Sequence, residues 1–227
     1  MKLSRATRFA ALSLLCGLAW LAGLCGGAGA AGCPAPTAPP ALSVTVDYGS
    51  IFYDLDHSSA ELGWIERQQG GMAHGEHPLG LTVSTFTTDG RSETDTRRIA
   101  QGWCAYPRDM SLRVGFVSHR IYIDRRFPPG SCMYGAVLAH EQEHVRIART
   151  ALARHEGEIR RAVEGFLRGN PVLLVADEAA ARQAYLDRLK GVLDPVLARL
   201  DAEANAGHAR LDAPASLDRT RMACPAW

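Results

Sequence analysis

The pattern of apolar residues changes once along this chain, close to Cys132. Before it, short runs alternate between apolar and polar residues or are rich in β-branched and aromatic ones, which is typical of strands. The strand candidates are 43–48, 51–53, 81–88, 102–106, 112–118 and 120–124. After it, two stretches, about 137–167 and 177–205, repeat apolar residues at helical spacing. Strands first and helices afterwards predict one α+β domain over 41–227, strand-rich over 41–132 and helical over 133–227.

Local signals refine this layout. Ser58 and Glu61 have the spacing of a capping box, which predicts a short helix over 58–68. Gly191 and Asp194-Pro195 interrupt the second helical stretch. That stretch is therefore expected to be either one kinked helix or two helices, with Asp194 capping the second.

The first thirty residues have the layout of an export signal. A basic start is followed by an apolar stretch over 10–24 and by a small-residue cleavage site at Ala28-Gly29-Ala30. Residues 1–30 are therefore predicted to be a signal peptide, and the remainder a periplasmic or secreted protein. The apolar stretch is short for a membrane span, so we expect no stable span after cleavage; a retained anchor is the alternative.

Residues 31–40 form a proline-rich lead-in that we expect to be extended. Its first residues, Ala31-Gly32-Cys33, loosely resemble a lipidation site. Cys33 lies well past the end of the apolar stretch, where a lipid acceptor would normally follow directly. A lipoprotein anchored through Cys33 is therefore the less favoured alternative.

Four cysteines follow the predicted signal: Cys33, Cys104, Cys132 and Cys224. An even number in an exported chain predicts two disulfides, for which the sequence allows three pairings. We favour Cys104–Cys132, which flank a strand-rich stretch, and Cys33–Cys224, which would join the termini. A zinc site built from all four is disfavoured because no two have the short spacing of structural zinc ligands.

The charge balance gives no reason to expect an anionic partner. Beyond the first 31 residues the chain carries 22 basic and 24 acidic residues. A net charge of −2 provides no electrostatic attraction to nucleic acid or to an anionic membrane.

The segment His140-Glu141-Gln142-Glu143-His144 contains the pattern His-Glu-x-x-His. On a helix, residues four apart lie on the same face, so His140 and His144 can bind one zinc ion from adjacent positions. The intervening Glu141 would project toward the open position of the metal, where a water molecule binds. Zinc brings the pKa of that water close to neutrality, and the carboxylate can then act as general base.

The placement of this motif on its helix supports a buried site. At about 100° per residue, Glu141 and His144 fall within the apolar face of the helix, and His140 lies at its edge. Burying an unpaired carboxylate and an imidazole costs several kcal/mol, on the order of the penalty for unsatisfied polar groups. A bound metal removes that cost; a histidine–glutamate pair satisfied by core hydrogen bonds is the alternative.

Three residues are candidates for the third ligand, and Asp212 ranks first, His208 second and Glu178 third. Asp212 and His208 follow a long helical region, where the chain could fold back over the site. Each has another explanation: Asp212 could cap a turn, His208 could be a surface residue and Glu178 a first-turn helix acid.

Other histidines are less suited to the same ion. His155 lies eleven residues after His144, about 16 Å along a helix axis, and is expected to be a core or partly buried histidine. His74 and His77 accompany Glu76 in a glycine-rich segment and are expected to be exposed loop residues.

At His140-Glu141-Gln142-Glu143-His144 the sequence resembles the zincin superfamily of metallopeptidases. The resemblance implies zinc, ligand roles for His140 and His144 and a base role for Glu141. The wider layout is similar to small exported bacterial zinc-dependent proteases of unassigned substrate, which share a strand-rich first half and a cysteine shortly before the motif. The chain departs from the superfamily at Glu143, where zincins usually have an uncharged residue, and in lacking a standard third-ligand motif.

These observations predict an exported zinc hydrolase, a metallopeptidase acting on peptide or protein substrates. The alternative is a non-catalytic, disulfide-tied binding or scaffolding protein whose motif is structural or vestigial. An intermediate case has four protein ligands, with both His208 and Asp212 coordinating zinc and no water bound.

Overall fold

A computed structural model describes residues 32–69 and 78–224. The predicted signal peptide and the segment with His74, Glu76 and His77 lie outside the described residues. The elements follow one another as β1 (Ala41–Asp54), α1 (Ser59–Gln68), β2 (Gly80–Ile99), β3 (Gly102–Ile123), α2 (Cys132–Gly169), β4 (Leu173–Val175), α3 (Ala180–Leu211) and α4 (Pro214–Met222). The predicted α+β class, with a strand-rich first half and helices after it, is confirmed.

The sheet is built around β3. β2 pairs with it antiparallel along its whole length, and β1 pairs with it parallel over Asp109–Tyr122. β4, which the sequence did not reveal, pairs antiparallel with Trp103–Ala105 on the side of β3 that β1 leaves free. The strand candidates 102–106, 112–118 and 120–124 are therefore parts of one strand. β2 extends to Ile99 because main-chain pairing with β3 carries a polar stretch that has no strand-like pattern of its own.

Helices α2 and α3 cover one face of this sheet and enclose the main core. The core joins alternate residues of β3 with one apolar side of each long helix, namely Met110, Leu112, Val114 and Phe116 with Leu152, Ile159, Val163, Tyr185, Leu189 and Leu193. A second cluster lies beneath the first turns of α2 and includes Ile121, Ile123, Val137 and Val145. Each such side chain stabilises the fold by about 1.5–3 kcal/mol. The second cluster therefore fixes the part of α2 that carries the motif.

The helix boundaries have identifiable causes. At Ser58 and Glu61 the predicted capping box is present. α2 starts five residues earlier than the apolar pattern indicated, because the hydroxyl oxygen of Ser131 accepts a hydrogen bond from the Tyr134 amide.

The second helical stretch is a single helix, α3, with Pro195 inside it. Asp194 caps no second helix, since its carboxylate binds Lys190 one turn earlier. The buried side chains of Leu193, Val196 and Leu200 keep α3 continuous across the proline, which lacks the amide of a helical hydrogen bond.

The disulfides join Cys33 to Cys104 and Cys132 to Cys224, so the favoured pairing was wrong. Cys104 lies near the start of β3 and Cys132 follows its end. A strand rises about 3.3 Å per residue, which separates these positions by roughly 60 Å, whereas bonded cysteines have Cα atoms within about 7 Å. The lead-in instead runs beside the start of β3, where the Tyr106 hydroxyl donates to the Pro34 carbonyl oxygen.

Two disulfides indicate an oxidising, extracytoplasmic compartment. Among the helices of residues 32–69 and 78–224, none combines the length and the apolar character that a membrane span requires.

Candidate metal centre

The motif occupies the third and fourth turns of α2, above the second apolar cluster. Glu141 is 4% exposed, and the side chains of His140 and His144 are 9% and 14% exposed. Val137 and Val145 pack onto Ile121 and Ile123 and orient this part of the helix. The three polar side chains therefore point inward.

Asp212 approaches both histidines from the end of α3. Its Oδ1 lies 3.2 Å from His140 Nε2 and 3.1 Å from His144 Nε2. One ligand atom from each of the three residues lies within 4.8 Å of the others. Asp212 is the C-cap residue of α3, and its side chain is 45% exposed, so the cluster meets solvent on this side.

His208 lies one turn before Asp212 on α3 and contacts a different atom of the cluster. Its Nδ1 is 2.9 Å from Nδ1 of His144, on the edge of that ring opposite to Nε2. The ring centroids are 5.1 Å apart. His208 therefore supports His144 and does not join the three converging ligand atoms.

The third candidate, Glu178, is not brought to this site. Its carboxylate accepts a hydrogen bond of 2.7 Å from the Thr96 hydroxyl, near the far end of β2. His155 lies in a separate cluster, where its two ring nitrogens face Glu158 and Glu203. It is a partly buried histidine at the interface of α2 and α3.

Glu141 is held between α2 and the first residues of β2. The Thr82 hydroxyl lies 2.8 Å from Glu141 Oε2 and 3.1 Å from the Glu141 carbonyl oxygen, so it donates its single proton to this pair of acceptors. At Gly80 an added Cβ would come within 2.7 Å of Glu141 Oε1 and 2.6 Å of Val137 Cγ1. Only glycine fits there without displacing the carboxylate. The sequence did not point to Thr82 or Gly80, because it does not show how β2 is positioned against α2.

The surroundings shift the proton affinities of the cluster. Burial raises the pKa of Glu141, and the neighbouring His144 and His140 offset this only in part. Burial opposes ionisation of Asp212, but hydrogen bonds from His140 and His144 outweigh it and lower the pKa of Asp212 below its usual range.

The two facing imidazoles shift in opposite directions. Burial lowers the pKa of His144, but its hydrogen bond to Asp212 and the charge of Glu141 act more strongly and raise it overall. Burial and the neighbouring His144 lower the pKa of His208 to about 4. His208 is therefore neutral near pH 7, and its Nδ1 can accept a hydrogen bond.

Two imidazole nitrogens and one carboxylate oxygen form a group that could hold a divalent metal ion, and zinc provides a scale for its spacing. Tetrahedral ligands about 2.0–2.1 Å from zinc lie roughly 3.3 Å from one another. Here Asp212 Oδ1 lies 3.1 and 3.2 Å from the two histidine nitrogens. The donor types and these two spacings are compatible with a divalent metal ion held by His140, His144 and Asp212.

Comparison of the chain with protein-family models, with curated proteins and with solved structures finds no match.

Proposed function

We propose that this protein is a zinc-dependent hydrolase, a metallopeptidase acting on peptide or protein substrates. The observation that carries the proposal is the convergence of His140, His144 and Asp212 next to a buried Glu141. Three protein ligands with one position left for water is the arrangement of catalytic zinc sites, whereas structural sites use four.

His140, His144 and Asp212 would hold the ion. A bound zinc ion supplies Lewis acidity, lowering the pKa of a water molecule and polarising the carbonyl group under attack. The remaining steps belong to side chains of the chain itself.

Glu141 would move the proton. Its burial raises the affinity of the carboxylate for a proton, and the Thr82 hydroxyl fixes Oε2. Glu141 would accept a proton from the attacking water and then deliver it to the leaving nitrogen, so that one carboxylate acts as base and then as acid. The carboxylate needs a fixed position for both transfers, and the hydrogen bond from Thr82 holds it in place.

The compartment is consistent with this activity. Disulfides place the folded protein outside the cytoplasm. We propose the periplasm or the cell exterior as its location, with proteins or peptides there as substrates.

The test compares Glu141→Gln with Glu143→Gln. Both changes remove one carboxylate from the same motif, but Glu143 is ion-paired with Arg146. We expect the wild type and both variants to bind one zinc ion each, measured by elemental analysis after dialysis. Only Glu141→Gln should lose cleavage of unfolded protein substrates, by a factor of about 10²–10⁴ if a general acid–base contribution is removed.

Two results would contradict the proposal. One is a wild-type protein that retains no zinc; the other is equal zinc in wild type and in His140→Ala. Equal cleavage by the Glu141→Gln and Glu143→Gln variants would remove the assigned base and leave a metal-binding protein without this mechanism.

A further inference from the structure

His208 contacts His144, a ligand of the proposed zinc site, at the ring nitrogen that does not face Asp212. Its Nδ1 lies 2.9 Å from Nδ1 of His144, while His144 Nε2 faces Asp212. Two ring nitrogens this close need one proton between them, because two lone pairs repel and two protons clash. One ring must therefore donate and the other accept.

Zinc binding decides which ring donates. A neutral imidazole carries one proton, and a nitrogen that binds a metal must offer its lone pair. If His144 binds through Nε2, the nitrogen that faces Asp212, its proton is on Nδ1 and points at His208. His208 then accepts through Nδ1 and carries its own proton on Nε2.

We infer that His208 is a positioning residue of the metal centre: by accepting a hydrogen bond from His144 Nδ1 it selects the ring form of His144 that offers Nε2 to the metal. The inference rests on the metal-binding part of the proposed function and is independent of hydrolysis. In most zinc sites this role belongs to a carboxylate, a backbone carbonyl or water. An imidazole in this position accepts the bond without adding a negative charge behind the ligand.

The packing of α3 on α2 holds His208 in this position. At the adjacent Gly207, an added Cβ would lie only 2.6 Å from Cγ2 of Ile147 on α2. The two helices therefore approach closely at the turn that pairs His208 with His144. His208 and Asp212 lie four residues apart, so one face of α3 supplies both the hydrogen-bond acceptor and the third ligand.

The experiment measures zinc affinity by competition with a chromophoric chelator, in the full-length protein without any substrate. The variants are His208→Ala, which removes the acceptor, and His208→Gln, whose amide oxygen can accept. His155→Ala is the control, since it removes another partly buried histidine from the α2–α3 interface. We expect His208→Ala to weaken zinc binding about 10- to 100-fold, as loss of an outer hydrogen-bond partner does. His208→Gln should recover most of that loss, and His155→Ala should bind zinc as wild type does.

Nitrogen NMR of the imidazoles provides a second readout, the protonated or metal-bound state of each ring nitrogen. A merely structural role of His208 would not determine that state in His144. In zinc-loaded wild type, His144 should be metal-bound at Nε2 and protonated at Nδ1, with no metal-bound nitrogen on His208. Metal on His208, or equal affinities for wild type and His208→Ala, would overturn the inference while leaving the proposed zinc site in place. A wild-type protein that binds no zinc would overturn both.

Discussion

Two clusters of histidines and acids join α2 to α3, and they differ in where their atoms point. In the group proposed to bind metal, here called the metal cluster (His140, His144, His208 and Asp212), two nitrogens converge on one carboxylate oxygen. In the arginine clamp (Arg154, His155, Glu158, Arg199 and Glu203), the two nitrogens of His155 face opposite ways, 3.3 Å from Glu158 and 3.2 Å from Glu203. Arg199 pairs with Glu158 and Arg154 with Glu203, so each carboxylate of the clamp is already neutralised.

Residue composition alone therefore does not determine whether a cluster can bind a metal ion. Both clusters offer histidine and carboxylate groups on facing helices, three turns of α2 apart. A cation needs lone pairs that meet at one point and carboxylates that are not occupied by arginine. Only the metal cluster meets both conditions.

Removing one histidine from each cluster should produce the largest difference between them. His144→Ala should weaken zinc binding by about 10²- to 10³-fold, since one ligand of a zinc site contributes roughly 3–4 kcal/mol. His155→Ala should leave the affinity within about threefold of wild type, a difference under 1 kcal/mol. Chelator competition measures both. Similar losses in the two variants would mean that the clamp also contributes to metal binding.

The second-largest effect should be the loss of zinc affinity at acidic pH. In the metal-free protein the pKa of His144 is raised, because the bond to Asp212 and the charge of Glu141 outweigh burial. Below that pKa a proton must be displaced, so zinc affinity should fall about tenfold per pH unit for each histidine that is protonated.

The contribution of His144 to the stability of the metal-free protein should change with pH in the opposite sense, whereas His208, whose pKa is lowered to about 4, contributes with the other sign. A raised folded-state pKa stabilises the fold below the unfolded value of about 6.5, and this contribution is lost as pH rises through the folded value. Thermal melts of wild type and of His144→Ala, with and without zinc between about pH 5.5 and 8, isolate the His144 contribution and test both statements. His155→Gln should keep the same pH dependence of zinc binding, and a zinc affinity that does not vary with pH would contradict the assignment of His144 as a ligand.

Removal of the two disulfides should affect zinc affinity differently, by a factor of about ten. α4 follows Asp212 directly and buries none of its described side chains, so the bond from Cys132 to Cys224 holds this segment against α2. Replacing that pair by serines should lower zinc affinity about tenfold, a loss of roughly 1.4 kcal/mol.

Replacing Cys33 and Cys104 by serines is the matched control. It should destabilise the fold by about 2–5 kcal/mol, the usual effect of removing a disulfide. Zinc affinity should not change, since that bond lies at the start of β3. Equal zinc affinities in both double variants would show that α4 needs no covalent tie to hold Asp212.

The smallest effect belongs to the clamp. Glu203→Gln removes one partner of partly exposed ion pairs, for which we expect a loss of about 0.2–1 kcal/mol in the free energy of unfolding. The loss should shrink at about 0.5 M salt, where exposed charges are screened. Urea denaturation at low and high salt measures it. A larger loss that salt does not change would indicate a buried network.

Local patterns in the sequence predicted the parts of the molecule that local forces determine. The capping box at Ser58 and the inward face of α2 both follow from spacing along one helix. Asp212 ranked first of three candidate ligands because a long helical stretch ends near it, and the structure brings its carboxylate to His140 and His144.

Features that depend on pairing between distant segments were wrong or missed. The cysteine pairs follow from the length of β3. The sequence patterns divided β3 into three separate strand candidates, which hid that length. Thr82 reaches Glu141 through the position of β2 against α2, which no residue pattern encodes. Likewise, the role of His208 depends on how closely α3 packs at Gly207.

The position of Asp212 along the chain bears on when the centre can assemble. Synthesis delivers a chain from its N-terminus at about 5–20 residues per second, and Asp212 comes 72 residues after His140. The motif helix therefore emerges several seconds before its third ligand, and Cys224, which ties down the segment after Asp212, emerges later still. The strands and α2 therefore precede Asp212 along the chain, so the proposed ligand set cannot be complete until the end of α3 has been delivered.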